Sequence, residues 1–128
     1  MSSLEVVNTN KAPAAIGPYS QARIHAGLLF VSGQLPIDPL TGKFSSDEPA
    51  EQIRQCLANI RAIADAAGTS MSNCLKTTVL VTDLSQFKDI NAAYGEAFTA
   101  PYPARATYQV AALPLGAKVE VEAVIALA

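Results

Sequence analysis

The spacing of hydrophobic and polar positions changes along this chain, and the changes divide it into elements. Between Asp47 and Gly68, the residues Ile53, Cys56, Leu57, Ile60, Ile63, Ala64 and Ala67 recur at intervals of three and four, which sets them on one stripe of a helix. Glu51, Arg54, Arg61 and Asp65 fall on the opposite face. Asp47 is placed to cap this helix, Pro49 to fill its first turn and Gly68 to end it. A second helix is predicted from about Ser85 to Phe98, burying Phe87, Ile90, Tyr94, Ala97 and Phe98. Asn91 falls on the same stripe. A buried amide needs partners, and the residues alone predict that it bonds a nearby backbone group.

Elsewhere the period is two. Leu75–Thr82 is β-branched and alternating, with apolar residues on both faces, which predicts a central strand. Ala22 to Gln34 reads as a hairpin turning at His25-Ala26-Gly27, and Asp38 to Lys43 as a second turn. Pro13–Pro18, with two prolines and Gly17, predicts a stiff loop. The last third reads as another hairpin: about Ala104–Ala111, a loop through Leu113-Pro114-Leu115-Gly116, then Lys118–Leu127. Strands, helix, strand, helix and strands in that order predict one α+β domain over residues 1–128, with helices packed on one sheet face.

Composition modifies this picture in one respect. Half of the residues are hydrophobic and only 16% are charged, so some apolar surface is expected to be covered by another subunit. The net charge of −2 provides no basic field for phosphate backbones, and nucleic-acid binding is not expected. No apolar run approaches the roughly 20 residues that span a bilayer. The first ten residues have neither an apolar core nor a basic cluster, so no leader is expected. Cys56 and Cys74 are expected to be free thiols in a reducing, cytoplasmic compartment, Cys56 as inert core; a single exposed histidine, His25, gives no support to a metal site.

The candidate chemistry lies on the last two strands. Arg105, Thr107 and Gln109 share one strand face, and Lys118, Glu120 and Glu122 share one face of the other arm. If polar faces polar across a hairpin, Arg105 lies opposite Glu122 or Val124, and Glu120 opposite Thr107 or Gln109. Two readings follow. The residues form ordinary cross-strand pairs on a wet surface, worth little. Alternatively, a guanidinium fork holds a small carboxylic acid beside a glutamate that activates water.

The run Ala15-Ile16-Gly17-Pro18-Tyr19-Ser20-Gln21-Ala22, then Val31-Ser32-Gly33-Gln34-Leu35-Pro36, then Pro103-Ala104-Arg105, and finally Val119-Glu120-Val121-Glu122-Ala123 resembles the reactive intermediate deaminase family, also called RidA or YjgF-like. The likeness extends from about Glu5 to Leu127. It implies a chorismate-mutase-like α+β domain with a mixed, mostly antiparallel sheet, assembled as a homotrimer with ligand clefts between subunits. It further implies hydrolysis of 2-imino acids such as 2-iminobutanoate and 2-iminopropanoate, the tautomers of enamines, to 2-keto acids and ammonia, with no cofactor and no metal. Carried over by position, Arg105 binds the carboxylate and Glu120 positions or deprotonates the water, with the backbone carbonyl of Thr107 helping to hold it. Tyr19, Ser32, Gly33 and Asn91 complete the pocket, Tyr19 and Ser32 across the interface, and Pro114 walls it.

Two positions depart from the pattern. Thr107 stands where many members carry cysteine, and Gln109 where glutamate is common. A role for the main-chain carbonyl tolerates threonine; a role for a thiol does not. The competing functions are a non-catalytic trimeric binding module for small carboxylic or 2-keto acids and a ribonuclease. The acidic balance disfavours the second.

Overall fold

A computed structural model describes residues 4–128; residues 1–3, part of the stretch in which no leader is expected, lie outside the described residues. In chain order the elements are β1 (Glu5–Val7), β2 (Ala22–His25), β3 (Leu28–Gln34), β4 (Ile37–Asp38), β5 (Lys43–Phe44), α1 (Pro49–Ala66), β6 (Cys74–Val81), α2 (Phe87–Gly95), β7 (Ala104–Gln109) and β8 (Val119–Ala126). Six strands form one sheet in the order β1-β2-β3-β8-β6-β7, with β4 and β5 a separate ribbon. All neighbouring pairs are antiparallel except β6 with β7, which is parallel. The two helices lie side by side, and α1 packs on β8 and β3. The result is the predicted α+β arrangement, two helices on a mixed, mostly antiparallel sheet.

The stripe on α1 is buried as its spacing requires: Ile53, Cys56, Ile60, Ile63 and Ala64 are fully covered, and Leu57 nearly so. The helix ends as predicted. Gly68 takes a φ of +81°, and the Gly68 and Thr69 N–H groups bond Asp65 O and Ala64 O, satisfying carbonyls the helix leaves open. Its start differs. Glu48, not Asp47, is the capping residue, and it makes no side-chain cap bond. Gln52 takes up part of that role: its amide donates to Ser46 O and accepts from the Lys118 N–H, tying the helix start to the approach to β8.

The prediction of a terminal hairpin is overturned. β7 and β8 do not pair; β6 lies between them, parallel to β7 and antiparallel to β8. The physical reason lies in β6 itself. Thr77, Val79 and Val81 are buried on its helix face, and Thr78 and Leu80 are half-buried on the other, so β6 needs a neighbour on each side. The long connection after β7, which includes a turn at Pro114–Gly116, carries the chain past β6 to the far side. The Val110 N–H still bonds Val81 O and the Thr82 N–H bonds Lys118 O, so β6 holds both neighbours beyond the strand ends. The first strand, β1, was not among the predicted elements; it is three residues long and pairs with β2 at the edge.

Among the described residues, no helix or second sheet covers the sheet face away from the helices. Phe30 and Tyr108 are 45% and 57% exposed there, with Val124, Leu80 and Ala106 half-buried around them. Among the described residues no helix is long and apolar enough to cross a membrane.

Candidate functional site

Register decides where each predicted residue points. Arg105 aligns with Thr77 and Thr107 with Val79, so both side chains lie on the helix face. Glu120 aligns with Leu80 and Glu122 with Thr78, on the open face. Arg105 and Glu120 of one chain therefore occupy opposite faces of the sheet. The expectation that they face each other across a hairpin is corrected with the hairpin itself, since it depended on a pairing that β6 interrupts.

Each of the two forms the centre of its own group. The Arg105 guanidinium is gripped by α2, whose residues at i, i+4 and i+7 converge on it. Asn91 Oδ1 accepts from Arg105 Nη1 at 2.8 Å, and the Phe87 and Tyr94 rings lie 5.4 and 4.7 Å from its Cζ. Asn91 is exposed and bonds this side chain rather than the backbone group expected from its place on the stripe. Arg54 pairs with Glu51 and Glu96 on the helix surface, whereas Arg105 has no carboxylate partner among the described residues. Beside Arg105 a cleft of about 470 Å³ is lined by Asn91, Tyr94, Gly95, Tyr102 and Pro103. That volume falls in the range that takes small ligands.

Thr107, two residues along, exposes a backbone feature of interest. Backbone groups point alternately to either side of a strand, and the Val110 N–H faces β6. With the β7 register unbroken, the N–H and C=O groups of Arg105, Thr107 and Gln109 must point out from the open sheet edge. The Thr107 carbonyl is thus free to accept. Its side-chain Oγ1 is buried and makes no hydrogen bond among the described residues. Gln109 Oε1 accepts from the Leu84 N–H, so this neutral replacement has a local structural use.

The second group surrounds Glu120. β3 and β8 shift register between Val31 and Gln34, at Ser32 and Gly33, where the Glu120 carboxylate lies against β3. A Cβ on Gly33 would come 2.5 Å from Glu120 Oε2, so only glycine leaves that space. Ser32 Oγ donates to Ser20 O at 2.6 Å, and the Tyr19 hydroxyl accepts from the Ile16 N–H at 3.2 Å. Tyr19 and Gly33 share a small hollow with Pro13, Ile16 and Leu35. Gln21, buried and also lining the hollow, pins the start of the Pro13–Pro18 loop, its amide donating to Thr9 O and Pro13 O. Burial pushes the Glu120 carboxyl above the usual range, and nearby Glu122 adds to the effect. Pro114 is exposed in the turn leading to β8 and lines neither hollow.

Tyr94 and Phe87, expected as core, also contact the arginine, and Tyr102 was not singled out. Spacing was the available signal: two aromatics flank Asn91 at helical intervals, on a helix predicted to pack on the same sheet as Arg105. Burial pushes Cys74 up to about 11 and raises Cys56 too, so neither is poised as a nucleophile.

The sequence profile of the family described as endoribonuclease L-PSP matches residues 9–127. The chain is 62% identical to the RutC family protein y4sK of Sinorhizobium fredii, over 97% of this chain and 98% of that one. It is 48% identical to the human protein named 2-iminobutanoate/2-iminopropanoate deaminase, over 97% and 92%. The crystal structure of RidA from the Antarctic bacterium Psychrobacter superposes with a TM-score of 0.92 at 43% identity, covering 95% of this chain and 98% of the other.

Proposed function

This chain belongs to the endoribonuclease L-PSP family, the RidA/YjgF proteins, and from that premise we propose that it is a cytoplasmic deaminase that hydrolyses small 2-imino acids to 2-keto acids and ammonia. The observation that carries the reading is Arg105. Its guanidinium is held in place, faces an open cleft and lacks an anionic partner among the described residues. A planar donor fork in that state suits a substrate carboxylate.

The opposed faces of Arg105 and Glu120 support a site shared between chains. In this reading the protein is a homotrimer, packed through the uncovered sheet face. The cleft then brings Arg105, Asn91 and Thr107 of one chain against Tyr19, Ser32, Gly33 and Glu120 of its neighbour, with Pro114 near its wall. Water adds its oxygen to C2 of the protonated imine and gives a proton to Glu120. The carbinolamine nitrogen takes that proton, Glu120 then removes the hydroxyl proton as the C–N bond breaks and the C=O forms, and it passes this proton to the departing ammonia. The free Thr107 carbonyl accepts one water hydrogen and aims the lone pair at C2. An imine carbon is already electrophilic, so orientation and charge matching suffice without a cofactor.

Adding the protein to a threonine dehydratase reaction is expected to speed imine loss beyond its spontaneous hydrolysis. Binding of 2-oxobutanoate without acceleration would instead identify a binding module. RNA cleavage that survives replacement of Arg105 would point to a separate activity, one that the net charge of −2 does not favour.

Gly33→Ala tests the second group. The added methyl displaces the end of a flexible side chain, not backbone, so melting should barely change. The shifted carboxylate is expected to lower kcat roughly 10- to 100-fold, as misplacements of about 1 Å do. Phe30→Asp tests the assembly. Light scattering is expected to give about 40 kDa for the native protein, three times the 13.4 kDa chain, and a smaller, inactive species for the variant.

A further inference from the structure

We propose that Tyr94, latched by Thr77, is a positioning residue that fixes the plane of the Arg105 guanidinium; this rests on Arg105 being the carboxylate-binding group. Three contacts close a ring, and a fourth braces it. Thr77 and Arg105 are aligned neighbours in the β6–β7 ladder. The Tyr94 ring centroid lies 4.7 Å from Arg105 Cζ. The Tyr94 hydroxyl and Thr77 Oγ1 are 2.7 Å apart in a buried hydrogen bond, the residues being 5% and 1% exposed. Asn91, one turn earlier on α2, holds the guanidinium edge. The strand that aligns with the arginine therefore also anchors the ring that stacks on it.

Arg105 needs such a device because it is exposed and has many rotamers to lose on gripping a ligand. A ring against the guanidinium and an amide at its edge limit that freedom before the ligand arrives, which lowers the cost of binding. The latch sets where the ring sits. The Phe98 ring packs against Tyr94 at 4.9 Å between centroids, and the Thr77 bond restricts sliding in the ring plane. Burial raises the phenol, with Thr77 and Arg105 pulling the other way, so the hydroxyl stays protonated and able to donate.

Tyr94→Phe keeps the ring and removes only the latch; Thr77→Val removes it from the other end, and Thr77→Ser retains a hydroxyl. The first readout is the order parameter of the Arg105 Nε–H by nitrogen relaxation in the intact protein, which needs no assumption about substrate. It is expected to fall in Tyr94→Phe and Thr77→Val and to recover in Thr77→Ser. The second is a split in kinetics. KM for 2-iminobutanoate and Kd for 2-oxobutanoate should rise roughly five- to tenfold in both single variants, with the loss in KM rather than kcat. The double variant should be no worse than either single one, since both remove one bond.

An order parameter unchanged in every variant overturns the proposal, as does a drop in melting temperature with no change in KM. Lost order in the variants alongside a native protein that accelerates no imine would support the positioning role and overturn the deaminase reading.

Discussion

Replacing Arg105 by alanine is expected to lower kcat/KM for 2-iminobutanoate by roughly 10²- to 10³-fold, the loss of a charged, two-pronged hydrogen bond to a carboxylate. The change should be purely functional. Arg105 is exposed and carries no ion pair among the described residues, so the melting temperature should move little. Arg105→Lys keeps the charge without the planar fork and should recover only part of the loss. It also surrenders the stacking of a flat guanidinium on Phe87 and Tyr94. Steady-state kinetics with 2-oxobutanoate titration would show binding and turnover lost together in Arg105→Ala.

Glu120→Gln is expected to lower kcat by roughly 10²- to 10⁴-fold, the usual range for a positioned general base, with much less effect on KM. The sign of the pH dependence follows from its surroundings. Burial, and then Glu122, hold the carboxyl above its ordinary value of 4.5, so it becomes protonated at a higher pH than a solvated glutamate. A base must be ionised to act. Activity should therefore fall on the acid side with a midpoint above 4.5, and Glu122→Gln should move that midpoint down. The same elevation means that ionising Glu120 opposes folding, so protonation favours the folded chain in the window just above the usual glutamate range. A kcat/KM profile across the acid limb for the native protein and Glu122→Gln checks both directions.

Much of the fold was legible because periodicity reports burial. The α1 stripe, its glycine terminus, the β2–β3 hairpin and the two-faced β6 all follow from which side chains must leave water. Strand partners are less accessible to that logic. β7 and β8 have turn residues between them, and local pattern favours a hairpin; only the demand of β6 for two neighbours separates them. That is a non-local requirement, visible in the apolar residues on both faces of Leu75–Thr82 but not in the connection itself. For the candidate site, the sequence showed which residues share a strand face and not how those faces are arranged. Strand parity correctly grouped Arg105 with Thr107 and Glu120 with Glu122. It could not show that the two groups lie on opposite faces, and the role of Gly33 depends on a register shift that no composition reveals.

The claim that Arg105 and Glu120 act together from different chains can be tested by mixing two inactive proteins. Arg105→Ala and Glu120→Gln trimers, dissociated and reassembled in equal amounts, should form mixed trimers. Whichever variant is in excess, each mixed trimer contains one interface with both residues intact. Random assembly should restore about a quarter of native activity. A mixture that reassembles fully and remains as inactive as its parents would contradict the shared site.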